Sequence, residues 1–125
     1  MLKGLLLQKD RKKMEKLLDL IKTCVKNGIR VECYWDEKTD QLGYRVFGFA
    51  KSDSVDLFIQ DEKIIYRSRY DYSGEIGSFD DLIDLAFEWY SGYKDRGYEP
   101  NADWLPFFLE KGYIKEKTVK TYVIG

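Results

Sequence analysis

Four consecutive segments of alternating apolar and polar residues constrain the fold of this chain more than any other feature. They span residues 29–36, 42–50, 55–59 and 63 to about 70. Alternation with a period of two is typical of a β-strand with one face on a core and the other toward water. The polar turns between the segments are short, and short turns join antiparallel neighbours. The sequence therefore predicts a four-stranded antiparallel meander.

The second of these segments contains Gly43 and Gly48. Glycine inside a strand weakens it or marks a β-bulge. With regular alternation, two sets of side chains would lie on opposite faces: Arg45, Phe47 and Phe49 on one, Tyr44 and Val46 on the other.

An amphipathic helix precedes the meander. The helical pattern covers residues 9–27 and ends at Gly28, which can adopt the left-handed conformation that terminates helices. Lysines cover much of its polar face. The predicted apolar stripe consists of Met14, Leu17, Leu18, Ile21 and Val25, with Cys24 beside it.

Two helices and a strand follow the meander. Residues 73–77 are a flexible link, after which Ser78 is an N-cap with Asp80 and Asp81 in the first turn. Asp103 caps a short third helix that ends at Gly112, and residues 118–124 form a last strand by their β-branched content. The order is α-β-β-β-β-α-α-β. The fold class is α+β, with one antiparallel sheet and helices packed on one face.

The length of 125 residues indicates a single domain over residues 1–125 that can bury its own core. The net charge of −1 conceals an asymmetry, since residues 1–30 carry +6 and the remainder −7. No histidine is present, which removes the usual general base, metal ligand and nucleophile partner. The sequence has no phosphate-binding glycine motif. We therefore expect a protein that is not an enzyme and that holds no cofactor and no metal.

Cys24 and Cys33 are the only cysteines, and their spacing matches no zinc pattern. Reduced, buried thiols in a cytoplasmic protein are the simplest interpretation. We also expect no signal peptide and no membrane span, because no apolar run is long enough.

The segment from residue 66 to residue 72 carries the main functional hypothesis. It places three tyrosines and two arginines in seven positions, and these residue types are enriched at protein–protein hot spots. In a regular strand the tyrosines share a face with Ser68, while Arg67, Arg69 and Asp71 share the other. The structural alternative is a strand with its tyrosines on the core. The predicted partner-binding residues of this segment are Tyr66, Arg67, Arg69, Tyr70 and Tyr72.

An acidic stretch on the second helix extends this hypothesis. Asp80, Asp84 and Glu88 lie close together on a helix, where they could meet a basic surface of another protein. Their structural alternative is a solvated helix face.

A nucleic-acid or nucleotide-binding function is the alternative hypothesis. Arg67, Arg69 and Tyr70 could contact phosphates and stack on bases, together with the basic first helix. The lysines that share a face of that helix are Lys9, Lys12, Lys13 and Lys16. Lysine is also the ordinary surface residue of a soluble helix.

The element order, with an acidic and aromatic second helix, resembles small accessory proteins of bacteriophages and mobile elements, including some anti-CRISPR proteins. Residues 89–98, WYSGYKDRGY, are similar to phage proteins of low-GC Gram-positive bacteria. The resemblance implies binding to a host protein and inhibition of a bacterial defence nuclease. Homodimer formation is compatible with each hypothesis, because an unpaired edge strand and exposed aromatic residues favour it.

Overall fold

The structure, a computed structural model, describes the backbone of residues 2–50, 53–69, 72–97, 103–116 and 122–124. Side chains are described for residues 12–49, 54–69, 72–97 and 103–115. The helices are α1 (Leu2–Lys26), α2 (Phe79–Asp95) and α3 (Leu105–Glu110). The strands are β1 (Val31–Asp36), β2 (Gln41–Ala50), β3 (Asp53–Gln60), β4 (Lys63–Ser68), β5 (Ser73–Glu75), β6 (Ile114–Glu116) and β7 (Tyr122–Ile124).

The first five strands form one antiparallel sheet in the order β1-β2-β3-β4-β5. The predicted meander and the α+β class are thereby confirmed. The turn between β3 and β4 consists of Asp61 and Glu62, whose φ angles are 52° and 64°. Two consecutive positive φ angles define the two-residue turn whose twist matches that of the flanking strands. This turn fixes the register of β3 against β4.

The sequence prediction was wrong about the link after β4. The link predicted over residues 73–77 contains β5, which pairs with β4 from Arg67 opposite Ser73 to Ile65 opposite Glu75. The three residues of β5 have no apolar alternation, so only their backbone pairing makes them a strand. The prediction of a single sheet was also wrong, because the last predicted strand does not join the main sheet. Its described part, β7, pairs with β6 in a separate two-stranded sheet.

A β-bulge at Gly48 changes the alternation predicted for β2. The register shifts between Phe47 and Ala50, and Gly48 has a φ of 102°. The extra residues return Phe49 to the face that carries Tyr44 and Val46, where it is 2% exposed. Phe47 remains on the opposite face, with the Arg30 guanidinium 4.5 Å from its ring centroid. The predicted grouping of Phe49 with Phe47 was wrong.

Both long helices pack on the same face of the sheet, called here the helix face. α1 contacts β1, β3 and β4, while α2 contacts β2, α1 and α3. The buried stripe of α1 consists of Leu17, Leu20, Ile21 and Cys24. Leu18 and Val25, which were predicted for that stripe, are 36% and 59% exposed. Apolar residues flank the true stripe, so periodicity alone left its rotation open.

The start of α2 is as predicted. The Ser78 hydroxyl accepts a hydrogen bond from the Asp81 amide, and the Asp81 carboxylate accepts one from the Gly77 amide at 2.6 Å. The first bond satisfies an amide that the helix leaves without an internal partner, and the second joins the residue before the cap to the first turn. The predicted cap of α3 was wrong. α3 begins after Trp104 without a side-chain cap, and Pro106 lies in its first turn.

Trp104 fastens α3 to the sheet instead. Its side chain is 1% exposed, and its ring centroid lies 5.5 Å from that of Phe49. The indole N–H donates to the Phe47 carbonyl at 3.3 Å, beside the bulge.

In the part of the chain that the structure describes, no helix is both long and apolar enough to cross a membrane.

Candidate functional site

The segment over residues 66–72 does not continue as one strand. β4 ends at Ser68, whose amide donates to the Tyr72 carbonyl at 2.8 Å. The Ser68 hydroxyl accepts a hydrogen bond from the Tyr72 amide at 3.1 Å. The chain therefore turns between Ser68 and Tyr72 and returns as β5. Tyr70 and Asp71 lie outside the described residues.

The two faces of β4 separate Tyr66 from Arg67. Tyr66 is paired with Leu57, which is 0% exposed, so Tyr66 points to the helix face and is half-buried. Arg67 is paired with Asp56 on the opposite face, called here the open face. Arg69 is exposed and follows the end of the strand.

Arg67 belongs to an ion-pair network on the open face. Its guanidinium lies 3.1 Å from an Asp36 carboxylate oxygen and 3.9 Å from one of Asp56. It also lies 4.8 Å from the ring centroid of Phe58, which is 3% exposed. Asp36 accepts a further hydrogen bond from Thr39. The Thr39 bond and the Arg67 charge hold the pKa of Asp36 below its ordinary value of 3.8.

Tyr34 completes this network by lying across the backbone of β2. A Cβ at Gly43 would lie 2.6 Å from the Tyr34 ring, so only glycine leaves room for it. The Tyr34 hydroxyl lies 3.4 Å from the Arg67 guanidinium. Burial and the neighbouring Asp56 carboxylate raise the pKa of Tyr34 to about 12. Arg67 is therefore committed to contacts within the chain, although it was predicted to bind a partner.

A groove opens between the β4–β5 hairpin and α2, with a volume of about 500 Å³. It is called the aromatic groove here. Two tyrosines of the hairpin form one side and a stripe of α2 forms the other: Tyr66, Tyr72, Leu85, Glu88, Trp89, Gly92, Tyr93 and Arg96. Three of these residues, Tyr66, Tyr72 and Glu88, were predicted as partner-binding from the sequence. The structure brings them together from positions up to 22 residues apart.

The α2 side of the groove follows from helical geometry. Leu85, Trp89, Gly92 and Arg96 are spaced by four, three and four positions, so they line one side of the helix. Trp89, Gly92, Tyr93 and Arg96 were missed as site residues. No signal in the sequence indicated which side of α2 faces a groove.

Tyr66 is held in position by the neighbouring strand. A Cβ at Gly74 would lie 2.7 Å from the Tyr66 ring, which therefore lies across the backbone of β5. Burial raises the pKa of Tyr66, and the negative charge of Glu88 raises it further. The negative charge of the Glu88 carboxylate therefore influences Tyr66 on the hairpin side of the groove. Tyr72, which is 65% exposed, stands at its rim.

Asp80 and Asp84 are not part of the groove. Lys111 lies 3.4 Å from each of their carboxylates, and the Tyr113 hydroxyl donates to Asp84 at 2.5 Å. These contacts tie α2 to the end of α3. The three residues of the predicted acidic surface therefore have different neighbours: Asp80 and Asp84 contact Lys111, whereas Glu88 lines the groove.

An exposed apolar pair lies near the edge of the sheet opposite β5. Trp35 on β1 and Leu42 on β2 are cross-strand neighbours, and they are 56% and 44% exposed. This apolar surface could be buried in a homodimer, and the formation of a homodimer stays a prediction.

Cys33 on β1 is exposed, so the expectation that both thiols are buried was wrong for Cys33.

The aromatic groove combines ring faces with one carboxylate and one guanidinium, which suits recognition of another molecule. Among the described residues, no group of three or more His, Cys, Asp or Glu side chains could hold a metal ion. Comparison with known proteins found no match to this chain among family models, curated proteins or solved structures.

Proposed function

We propose that this chain is a non-enzymatic binding protein whose aromatic groove receives a segment of a partner protein. The observation that carries the proposal is the groove of about 500 Å³ lined by Tyr66, Tyr72, Trp89 and Tyr93. Tyrosine and tryptophan supply large contact areas at a small cost in conformational entropy, and they dominate the energetics of protein interfaces. The absence of histidine from the sequence supports a binding role over catalysis.

The partner we propose is a host protein in the bacterial cytoplasm, with a defence nuclease as the first candidate. The resemblance of the element order to anti-CRISPR proteins supports this choice. The effect on such a nuclease would be inhibition by occupation of a surface.

The nucleic-acid alternative has less support. It relied on Arg67, whose guanidinium is paired with Asp36 and lies near Asp56. The groove also carries the Glu88 carboxylate, which repels phosphate.

A pull-down with matched variants tests the proposal. Tagged wild-type protein is exposed to a bacterial lysate, and the retained proteins are compared with those retained by Tyr72→Ala and Trp89→Ala. We expect both variants to lose the partner, and Trp35→Ala to keep it. Trp35 is an exposed tryptophan at the opposite edge of the sheet from β5 and therefore controls for general loss of aromatic surface.

Circular dichroism of each variant verifies that the fold is intact. A partner that binds wild type, Tyr72→Ala and Trp89→Ala equally well would contradict the assignment of the aromatic groove. Retention of no partner from lysates of any host would contradict the binding function itself.

A further inference from the structure

Gly92 is a glycine in α2 that the packing of this chain does not explain. Glycine inside a helix costs about 1 kcal/mol relative to alanine. The glycines at positions 43, 48 and 74 each make room for an aromatic ring. At Gly92, by contrast, a Cβ would meet no atom within 4 Å among the described residues outside its own helix backbone and chain neighbours. Gly92 lines the aromatic groove, so its missing side chain leaves space there for an incoming molecule.

Glu88 lies one helical turn before Gly92 and gives this end of the groove a negative charge. Its side chain is exposed, and none of the ion pairs in the described part of the chain involves it. Residues four apart lie on the same side of a helix, so the carboxylate stands beside the space above Gly92. The rings of Tyr66 and Trp89 line the same groove.

A carboxylate among aromatic rings is suited to an organic cation. The faces of tyrosine and tryptophan rings attract ammonium and guanidinium groups, and the carboxylate adds a direct charge interaction. Arg96, the residue after the end of α2, is eight positions further along the chain, which corresponds to about 12 Å of helix rise between the backbones of the two residues. The two residues therefore place the acidic and the basic group at different ends of the α2 side of the groove.

We infer that the aromatic groove recognises a lysine or arginine side chain on the partner segment, with its cationic group at Glu88 against Tyr66 and Trp89. The main chain of the segment passes over Gly92, where the absent side chain permits close approach. This inference rests on the proposed function and adds the chemistry of the segment that binds.

Selection from a random dodecapeptide library displayed on phage tests the inference directly. Wild-type protein is the immobilised target, and the enriched peptides are sequenced. We expect a lysine or arginine at one aligned position. Titration calorimetry then compares the best peptide with a version in which that base is replaced by methionine, and we expect affinity to fall at least tenfold.

Two variants of the protein test the charge of Glu88 and the open space above Gly92 separately. Glu88→Gln removes the charge while keeping the shape, and we expect it to lower affinity for the basic peptide at least fivefold. Affinity for the methionine peptide should not change. Glu37→Gln is the matched control, because Glu37 is an exposed carboxylate in the turn after β1. Gly92→Leu fills the groove, and we expect it to abolish peptide binding while the urea midpoint of unfolding equals or exceeds that of wild type.

The outcomes separate the inference from the proposed function. Enriched peptides without a conserved base, or equal binding by Glu88→Gln and wild type, overturn the cation site but leave a peptide-binding groove. Peptide binding that survives in Gly92→Leu overturns the path over Gly92. Failure to enrich any peptide, or binding of a single-stranded oligonucleotide that Gly92→Leu abolishes, overturns the proposed function as well.

Discussion

Arg67 is the residue on which the open face of the sheet depends. Its guanidinium contacts the Asp36 carboxylate, lies against Phe58 and reaches toward the Tyr34 hydroxyl. The Asp36 side chain is only 6% exposed, so its charge relies on these partners. Arg67 thus allows a charged cluster to cover an apolar ring on a face that no described helix covers.

Replacing Arg67 with alanine is therefore expected to destabilise the protein. Arg67→Ala leaves Asp36 buried without its cation and uncovers Phe58. We expect the free energy of unfolding to fall by about 2 to 3 kcal/mol. This is less than the loss of a fully buried pair, because the Arg67 side chain is 26% exposed. Urea denaturation at pH 7 measures the change.

Lys63→Ala serves as the control for this substitution. Lys63 begins the same strand and is exposed, so its replacement should alter the free energy of unfolding by no more than about 0.5 kcal/mol. Equal stability of Arg67→Ala and wild type would show that the network contributes nothing, and Arg67 would again be available to a partner.

At this scale the sequence anticipated part of the candidate site. Tyr66, Tyr72 and Glu88 were chosen for residue type, and they border the aromatic groove. Arg67 was chosen on the same basis and is engaged within the chain. Residue type alone could not separate these cases, because Arg67 and its partner Asp36 are 31 positions apart.

At the scale of elements, the bulge in β2 decides how the third helix is attached. The bulge turns Phe49 to the helix face and brings the Gly48 backbone against the Trp104 indole. Trp104 in turn contacts the rings of Phe79 and Phe107. One irregular strand position therefore links β2, α2 and α3.

Substitution of Gly48 tests this connection, and substitution of Gly92 is a comparison for which we expect a stability change of the opposite sign. A Cβ at Gly48 would lie 2.6 Å from the Trp104 indole nitrogen, and the φ of 102° is unfavourable for alanine. We expect Gly48→Ala to lower the free energy of unfolding by about 2 kcal/mol or more. Gly92→Ala lies in a helix with open space at its Cβ, and we expect a gain of about 1 kcal/mol. Urea denaturation of both variants checks these signs.

Thermal unfolding followed by near-ultraviolet circular dichroism adds a structural readout, since the Trp104 environment should change in Gly48→Ala but not in Gly92→Ala. Identical stability changes in the two variants would contradict the distinction between a glycine required by packing and one that packing does not require.

At the scale of the whole molecule, the core lies between the helix face of the sheet and the two long helices. Cys24 of α1 is at its centre and is 0% exposed, together with Leu17, Val55 and Leu57. Burial raises the pKa of Cys24 to about 12, so its thiol stays protonated in the folded protein near neutral pH. Cys33 is exposed on β1.

The two thiols should therefore report on the integrity of the core. We expect a thiol reagent such as Ellman's reagent at pH 8 to modify one thiol of the folded protein within minutes and both in denaturant. Cys33→Ala should leave no rapidly reacting thiol. Rapid modification of both thiols in the folded protein would contradict the packing of α1 on the sheet.

By itself the sequence determined the features that depend on neighbours along the chain. Periodicity of two located four strands, Ser78 marked the start of α2, and the turn at Asp61 and Glu62 joined β3 to β4. These features arise within a few residues, where backbone geometry and local hydrogen bonds decide the conformation.

The tertiary structure alone decided which side chains meet. Three features depend on contacts between segments that are not adjacent in sequence: the bulge that redirects Phe49, the pairing of β5 with β4, and the ion pair between Arg67 and Asp36. The aromatic groove has the same origin, because its hairpin side and its α2 side become neighbours only after α2 packs on the sheet. Contacts of this kind follow from the free energy of the whole packed chain, which no local pattern encodes.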